Sequence, residues 1–233
     1  MGESILRGPA WAILHDPELI AAPSPELFDP ASWRDGAQEH AGRGRGRVAF
    51  VSAGHRQFAL RGYRRGGLIG RLVADRYLWL GESRTRSFRE WRMLARLYAA
   101  GLPVPRPAAA AWWRQAAFYR AALASLRIPA AEPLSARLSA GEVVDWRAIG
   151  AVLRRCHDAG AWHADLNAHN ILIDDSAGVW LLDFDRGRLL GPGSWREGNL
   201  ARLERSLRKI AMEPEAPAFS HQGWRALRAG YEE

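Results

Sequence analysis

The chain has 233 residues, 48% of them hydrophobic and 25% charged, an ordinary balance with enough length to bury one large core or two smaller ones. A single cysteine, Cys156, excludes an intrachain disulfide; no Cys/His cluster has zinc spacing, and no run nears the ~18 apolar residues that mark a membrane-spanning helix. The formal net charge is +8, with Lys209 the lone lysine among 33 basic residues, and such an excess points to nucleic acid, an anionic membrane surface or an acidic small substrate.

Residues 1–45 are rich in proline, glycine and charge and predict an extended N-terminal arm with a few turns. The opening stretch lacks the basic, apolar and small-residue regions of a signal peptide. RVAFV and QFALRGY alternate as strands, and SAGH between them (Ser52 to His55) predicts a hairpin turn. In RSFREWRMLARLYAAG, Phe88, Trp91, Leu94, Ala95 and Tyr98 follow helical spacing, with Gly101 as C-cap and Pro103 as stop. AAAAWWRQAAFYRAALASL predicts further strands. PLSARL and DWRAIGAVLRRCHDAG predict helices, the second ending at Gly160 with Cys156 buried on it. ILID and VWLLDF are short strands around a D-S-A-G turn, and NLARLERSLRKIAM is a final helix. The expected organisation is an arm (1–45), a nucleotide-binding N-lobe (46–128) and a C-lobe with the catalytic loop and metal site (129–233). The fold class is α+β: a small antiparallel sheet with one helix, then a short, mostly helical lobe.

Polar clusters bracket the second hairpin. His163, Asp165 and Asn170 read H-x-D-x-x-x-x-N, and Asp183 of Asp183-Phe184-Asp185 follows 13 positions after Asn170. This is the order used by kinases of protein-kinase architecture, and it implies ATP and magnesium. An attacking hydroxyl must be oriented and relieved of its proton, which one carboxylate, Asp165, can do. Magnesium wants hard oxygen ligands, which Asp183 and the amide of Asn170 supply. Upstream, QFALRGY places Arg61 where a kinase strand carries its phosphate-binding lysine, and Glu90 on the next helix is its partner. Gly42 to Val48, GRGRGRV, reads either as a phosphate-covering loop or as a flexible arm.

These residues, with the strings RRGGLIG, DRYLW and HADLNAHN, resemble the 3-deoxy-D-manno-octulosonic acid (Kdo) kinase family of the lipopolysaccharide kinase superfamily, over residues 57–189. The resemblance implies ATP-dependent phosphorylation of the 4-hydroxyl of a Kdo residue on a lipid A precursor. It implies a peripheral protein at the cytoplasmic face of the bacterial inner membrane. Carried over, Asp165 is catalytic, Asn170 and Asp183 hold magnesium, and Arg61 and Glu90 form the nucleotide pair. Asp185 departs from the glycine of Asp-Phe-Gly, and no A-P-E follows, which argues against a protein substrate. Arg64, Arg65 and Arg76, with Arg71, Arg84, Arg86 and Arg89, are candidates to meet an acidic substrate and anionic lipid. Three other readings compete. Aminoglycoside- or choline-type kinases share the loop but favour acidic pockets for cationic substrates. A nucleic-acid-binding module explains the charge but has no use for the arrangement from His163 to Asp183, so no nucleic acid is expected. A pseudokinase is raised by Arg61 and opposed by the complete set of Asp165, Asn170 and Asp183.

Overall fold

The computed structural model describes residues 2–33, 38–40, 48–63, 75–212 and 219–233. The chain forms two compact units, Met1–Ala95 with Pro105–Arg127, and Arg96–Val104 with Ile128–Glu233. The expected α+β class is observed: the first unit is mainly antiparallel sheet and the second mainly helix.

Eight strands of the first unit, among the described residues, make one antiparallel sheet: β1 (Ser4–Gly8), β2 (Trp11–His15), β3 (Gln38–His40), β4 (Val48–Ala53), β5 (Arg56–Gly62), β6 (Tyr77–Leu78), β7 (Pro107–Gln115) and β8 (Phe118–Leu126). Their order is β1-β2-β7-β8-β5-β4-β3, with β6 pairing on β8. The β4–β5 loop is Gly54-His55, since Ala53 already pairs with Arg56. Gly54 takes φ +58°, the left-handed value that a loop of this length requires.

Strand alternation divides β5 into two roles. Phe58 and Leu60 join a core with Ile13, Ile20, Val51, Ala109 and Ala111, covered by Leu27, Phe28 and Trp33. Arg61 and Tyr63 point to the other face, where helix α1 (Arg86–Ala99) packs. In β7, Ala108 to Ala111 are all fully buried; a strand covered on both faces takes small apolar residues in an unbroken run. Helix α1 ends as expected, with Gly101 at φ +70° and the Leu102 amide donating to the Leu97 carbonyl.

The N-terminal arm is corrected. Residues 4–15 form the β1–β2 hairpin, and β2 adds to β7 in a register from Trp11↔Trp113 to His15↔Ala109. Ala12, Ile13 and Leu14 are fully buried. The apolar run WAILH, short enough to pass for part of a loop, completes the side of the sheet that β7 would otherwise leave open. Fully buried Asp16 follows and accepts hydrogen bonds from Arg106 at 3.0 and 2.5 Å, tying the hairpin to the approach to β7. Short 3₁₀ turns at Pro25–Phe28 and Pro30–Ser32 then bring the covering aromatics into place: Phe28 meets Trp113 edge-on at 5.5 Å, and Trp33 meets Phe58 at 5.8 Å.

The second unit contains β9 (Glu132–Pro133), α2 (Leu134–Ser139), α3 (Trp146–Asp158), β10 (Ala161–Trp162), β11 (Ile171–Ile173), β12 (Val179–Leu181), β13 (Arg188–Leu189), α4 (Trp195–Ala211) and α5 (His221–Glu232). β12-β11-β9 form one small sheet and β10-β13 another. Asp145 caps α3 by accepting from the Ala148 amide at 3.0 Å. Helix α5, unread in the sequence, is capped by Ser220 and packs on α3. Cys156 is buried on α3 as expected, and desolvation pushes its thiol up to about 12, which disfavours the thiolate.

Candidate active site

In the first unit, Glu90 is only 2% exposed and is met by Arg61 of β5 and by Tyr63 just beyond its end. Arg61 contacts both carboxylate oxygens through Nη2, at 2.5 Å each, and the Tyr63 hydroxyl donates to Oε2. Residues two apart on a strand share a face, so one buried carboxylate receives both. The Arg61 guanidinium also lies 5.0 Å above the Tyr63 ring, and Arg86 stands over Tyr63 and Tyr77 at 5.7 and 4.7 Å. Arg61 and Glu90, read from the sequence as a nucleotide pair, are brought together, and Tyr63 joins them; the i, i+2 spacing from Arg61 was the signal that could have found it.

In the second unit, the loop read as catalytic is organised by buried His163. Its Nε2 donates to the Leu182 carbonyl at 2.7 Å, and its Nδ1 accepts the Asp165 amide at 3.1 Å. These two bonds require the neutral ring. Burial in turn holds its pKa below the ordinary histidine value. The ring also packs against Phe184 at 4.8 Å. One side chain thus ties the residue ahead of Asp183 to the backbone of Asp165.

Asp165 itself is half-exposed, with its side chain 59% accessible. The amide groups of Asn167 and Asn170 both donate to the Asp165 carbonyl at 2.9 Å, which closes the loop. The Leu182 amide donates to the Asn170 carbonyl at 2.9 Å, so Asn170 and Asp183 are brought near each other through adjacent backbone. Asp183 has φ +61°, a left-handed conformation uncommon outside glycine and costing of order 1–3 kcal/mol. It persists because both neighbours are anchored, Leu182 by His163 and Asn170, and Phe184 by full burial.

These residues fit magnesium. The Asn170 nitrogen is spent on Asp165, which leaves its amide oxygen for a metal, and Asp183 adds a carboxylate held at a fixed point. Among the described residues no group of three or more His, Cys, Asp and Glu could hold a metal by itself. Magnesium does not need one, since it keeps water and takes phosphate oxygens.

Helix α4 supplies residues that sequence reasoning missed. Asn199 brackets His163, accepting its amide at 3.1 Å and donating to its carbonyl at 2.9 Å. The Ser206 hydroxyl accepts the Ala168 amide at 3.2 Å, and Arg202 stands 3.4 Å from the Asp165 carboxylate. The spacing 199, 202, 206 is one helical stripe, which was visible, but what it faces was not.

Of the arginines assigned to substrate, Arg64 and Arg65 lie outside the described residues, as do Arg71 and Gly42 to Arg47. Arg76 is exposed, beside Trp113, Arg114, Phe118 and Arg120.

Comparison with known proteins places these geometries in context. The sequence model of the lipopolysaccharide kinase (Kdo/WaaP) family matches residues 33–231. A protein of Xanthomonas euvesicatoria pv. vesicatoria named 3-deoxy-D-manno-octulosonic acid kinase is 47% identical over 201 residues, 85% of this chain and 81% of that protein. A protein of the same name from Xylella fastidiosa is 44% identical over 220 residues, 94% of this chain and 88% of that one. Among solved structures, the bifunctional kinase-methyltransferase WbdD is 20% identical with a TM-score of 0.47. That match covers 83% of this chain and 44% of WbdD, so the chain spans less than half of that protein.

Proposed function

The chain belongs to the lipopolysaccharide kinase (Kdo/WaaP) family and is an ATP-dependent kinase of kinase-like fold, and from that membership we propose that it phosphorylates the 4-hydroxyl of a Kdo residue on a lipid A precursor. The observation that carries the reading is Asp165: an accessible carboxylate on a loop locked by His163 to the strand end that presents Asp183. The relatives named Kdo kinase support the choice of sugar.

In this reading the acceptor hydroxyl donates its hydrogen bond to Asp165, which holds the oxygen in line with the γ-phosphorus. The oxygen–phosphorus bond forms as the bond to the ADP oxygen breaks, and Asp165 receives the hydroxyl proton. Arg61, fixed by Glu90, holds the α/β-phosphates. Asn170 and Asp183 would hold magnesium, which when bound neutralises triphosphate charge.

We also propose work at the cytoplasmic face of the inner membrane, as a peripheral protein on an anionic surface. No helix among the described residues is long and apolar enough to cross a membrane. Support comes from the net charge of +8 and from exposed Leu78 and Phe118, paired across β6 and β8 near Arg76, Arg114 and Arg120. In this reading the arginines serve anionic lipid and sugar rather than nucleic acid.

The test is transfer of label from γ-labelled ATP to a Kdo-bearing lipid A precursor, with Asp165→Ala alongside. Label on the lipid with wild type alone supports the reading. An unlabelled lipid with ATP binding intact overturns the proposed acceptor.

A further inference from the structure

Three residues of α4 face the catalytic loop, and the outer two are committed. Asn199 is bonded to both backbone groups of His163, and Ser206 accepts the Ala168 amide. They pin the helix to the loop on either side of Arg202, so its side chain starts out beside Asp165. The contact it makes there is nonetheless poor. It is one nitrogen to one oxygen at 3.4 Å, with side chains 47% and 59% accessible. Exposed pairs of this kind contribute little. A guanidinium meeting a carboxylate in good geometry makes two parallel bonds at about 2.8 Å. A cation kept on Asp165 would also oppose the protonation that transfer requires. Arg202 is therefore held close to the reacting point but weakly engaged.

We propose that Arg202 is the carboxylate-recognition residue of the acceptor site. When the acceptor hydroxyl takes Asp165, Arg202 swings from Asp165 to the carboxylate of the same sugar. The inference rests on the reading of Kdo as acceptor. Kdo is an ulosonic acid whose carboxylate sits on the ring carbon two positions from the one bearing the 4-hydroxyl, so one small sugar offers both groups side by side. Arg202 thereby separates acidic from neutral sugars at the reacting centre, with no demand on the nucleotide.

The experiment compares wild type, Arg202→Ala and Arg202→Lys on two acceptors, the Kdo-bearing lipid A precursor and its Kdo carboxyl methyl ester, at saturating ATP. Wild type should prefer the free acid by about 10- to 100-fold in kcat/KM, chiefly through acceptor KM, the value of one charge-assisted hydrogen bond. Arg202→Ala should lose that preference while its KM for ATP stays within about twofold of wild type, and Arg202→Lys should keep part of it. Equal losses with acid and ester overturn the inference and leave Arg202 a support for Asp165. A raised KM for ATP overturns it in favour of a phosphate ligand. If wild type labels neither acceptor, the reading of Kdo as substrate falls and this inference falls with it; if it labels both equally, Kdo stands and the inference alone fails.

Discussion

His163 donates from Nε2 to the carbonyl of Leu182 at 2.7 Å, and this bond joins the segments before and after the β11–β12 hairpin. Because Nδ1 simultaneously accepts the Asp165 amide, the ring sets the distance between Asp165, the proposed base, and the segment that presents Asp183. His163→Ala leaves two part-buried backbone groups, the Asp165 amide and the Leu182 carbonyl, without their partner. We predict a loss of about 2–4 kcal/mol in stability, read from urea denaturation. The turnover number should fall about 100-fold, because misplacement near 1 Å in the reacting geometry has that effect. A variant as stable and active as wild type would show that the ring does not position the loop.

The pair of Arg61 and Glu90 makes a different demand. Arg61 engages both oxygens of Glu90 through Nη2, a contact that one ammonium nitrogen can imitate. Arg61→Lys should therefore keep ATP turnover within about tenfold of wild type, the remaining loss reflecting the shorter stem. Arg61→Ala removes the cation from a carboxylate that is 2% exposed. It should cost about 3 kcal/mol in stability and raise KM for ATP by about 10- to 100-fold. Steady-state kinetics in ATP with thermal denaturation separates the two variants; equal damage from both would mean that the fork, not the charge, is required.

How much of this was legible follows from what each residue is for. The segment from His163 to Asp183 stood out because its polar residues fall at spacings that phosphoryl transfer would demand, and the structure joins its two ends through His163. The hairpin at residues 4–15 could not be read, because its burial depends on β7 lying nearly a hundred residues away, and WAILH carries too short a pattern to stand out among prolines and glycines. Arg202 shows the same limit from the other side. Its stripe on α4 is plain in the sequence, beside the apolar stripe of Leu200, Leu203 and Leu207, but only the folded chain places it against Asp165.

Acid should destabilise the fold through His157. Burial brings its pKa down to about 4 from 6.5, while Nδ1 shares a hydrogen with the Tyr231 hydroxyl at 2.8 Å. Below pH 6.5 the unfolded chain takes up a proton that the folded chain refuses, so stability falls as pH drops from 6.5 towards 4. The loss at the lower end is about 3 kcal/mol, and buried His163 shifts in the same direction. Melting temperatures followed between neutral pH and pH about 4.5 should decline less steeply in His157→Gln than in wild type. Parallel curves would remove His157 as a source of the acid sensitivity.

Helices α3 and α5 come closest at two glycines, beside the buried side chains of Leu227 and Tyr231. A Cβ at Gly150 of α3 would stand 2.0 Å from the carbonyl oxygen of Leu227, and one at Gly230 of α5 would stand 2.2 Å from that of Arg147. Two backbones approach where neither helix carries a side chain, and the glycines that make this possible also weaken the helical signal of HQGWRALRAGYEE, which is why α5 went unread. Gly150→Ala adds a methyl group against backbone, which cannot rotate away. The helices must separate, and we predict a loss of about 1–3 kcal/mol despite the better helix propensity of alanine. Gly198→Ala on α4 is the control, since a Cβ there meets nothing within 4 Å. It should stabilise the protein by up to about 1 kcal/mol. If the two substitutions shift the urea midpoint alike, α3 and α5 are not packed backbone to backbone, and the missing side chains have no structural purpose.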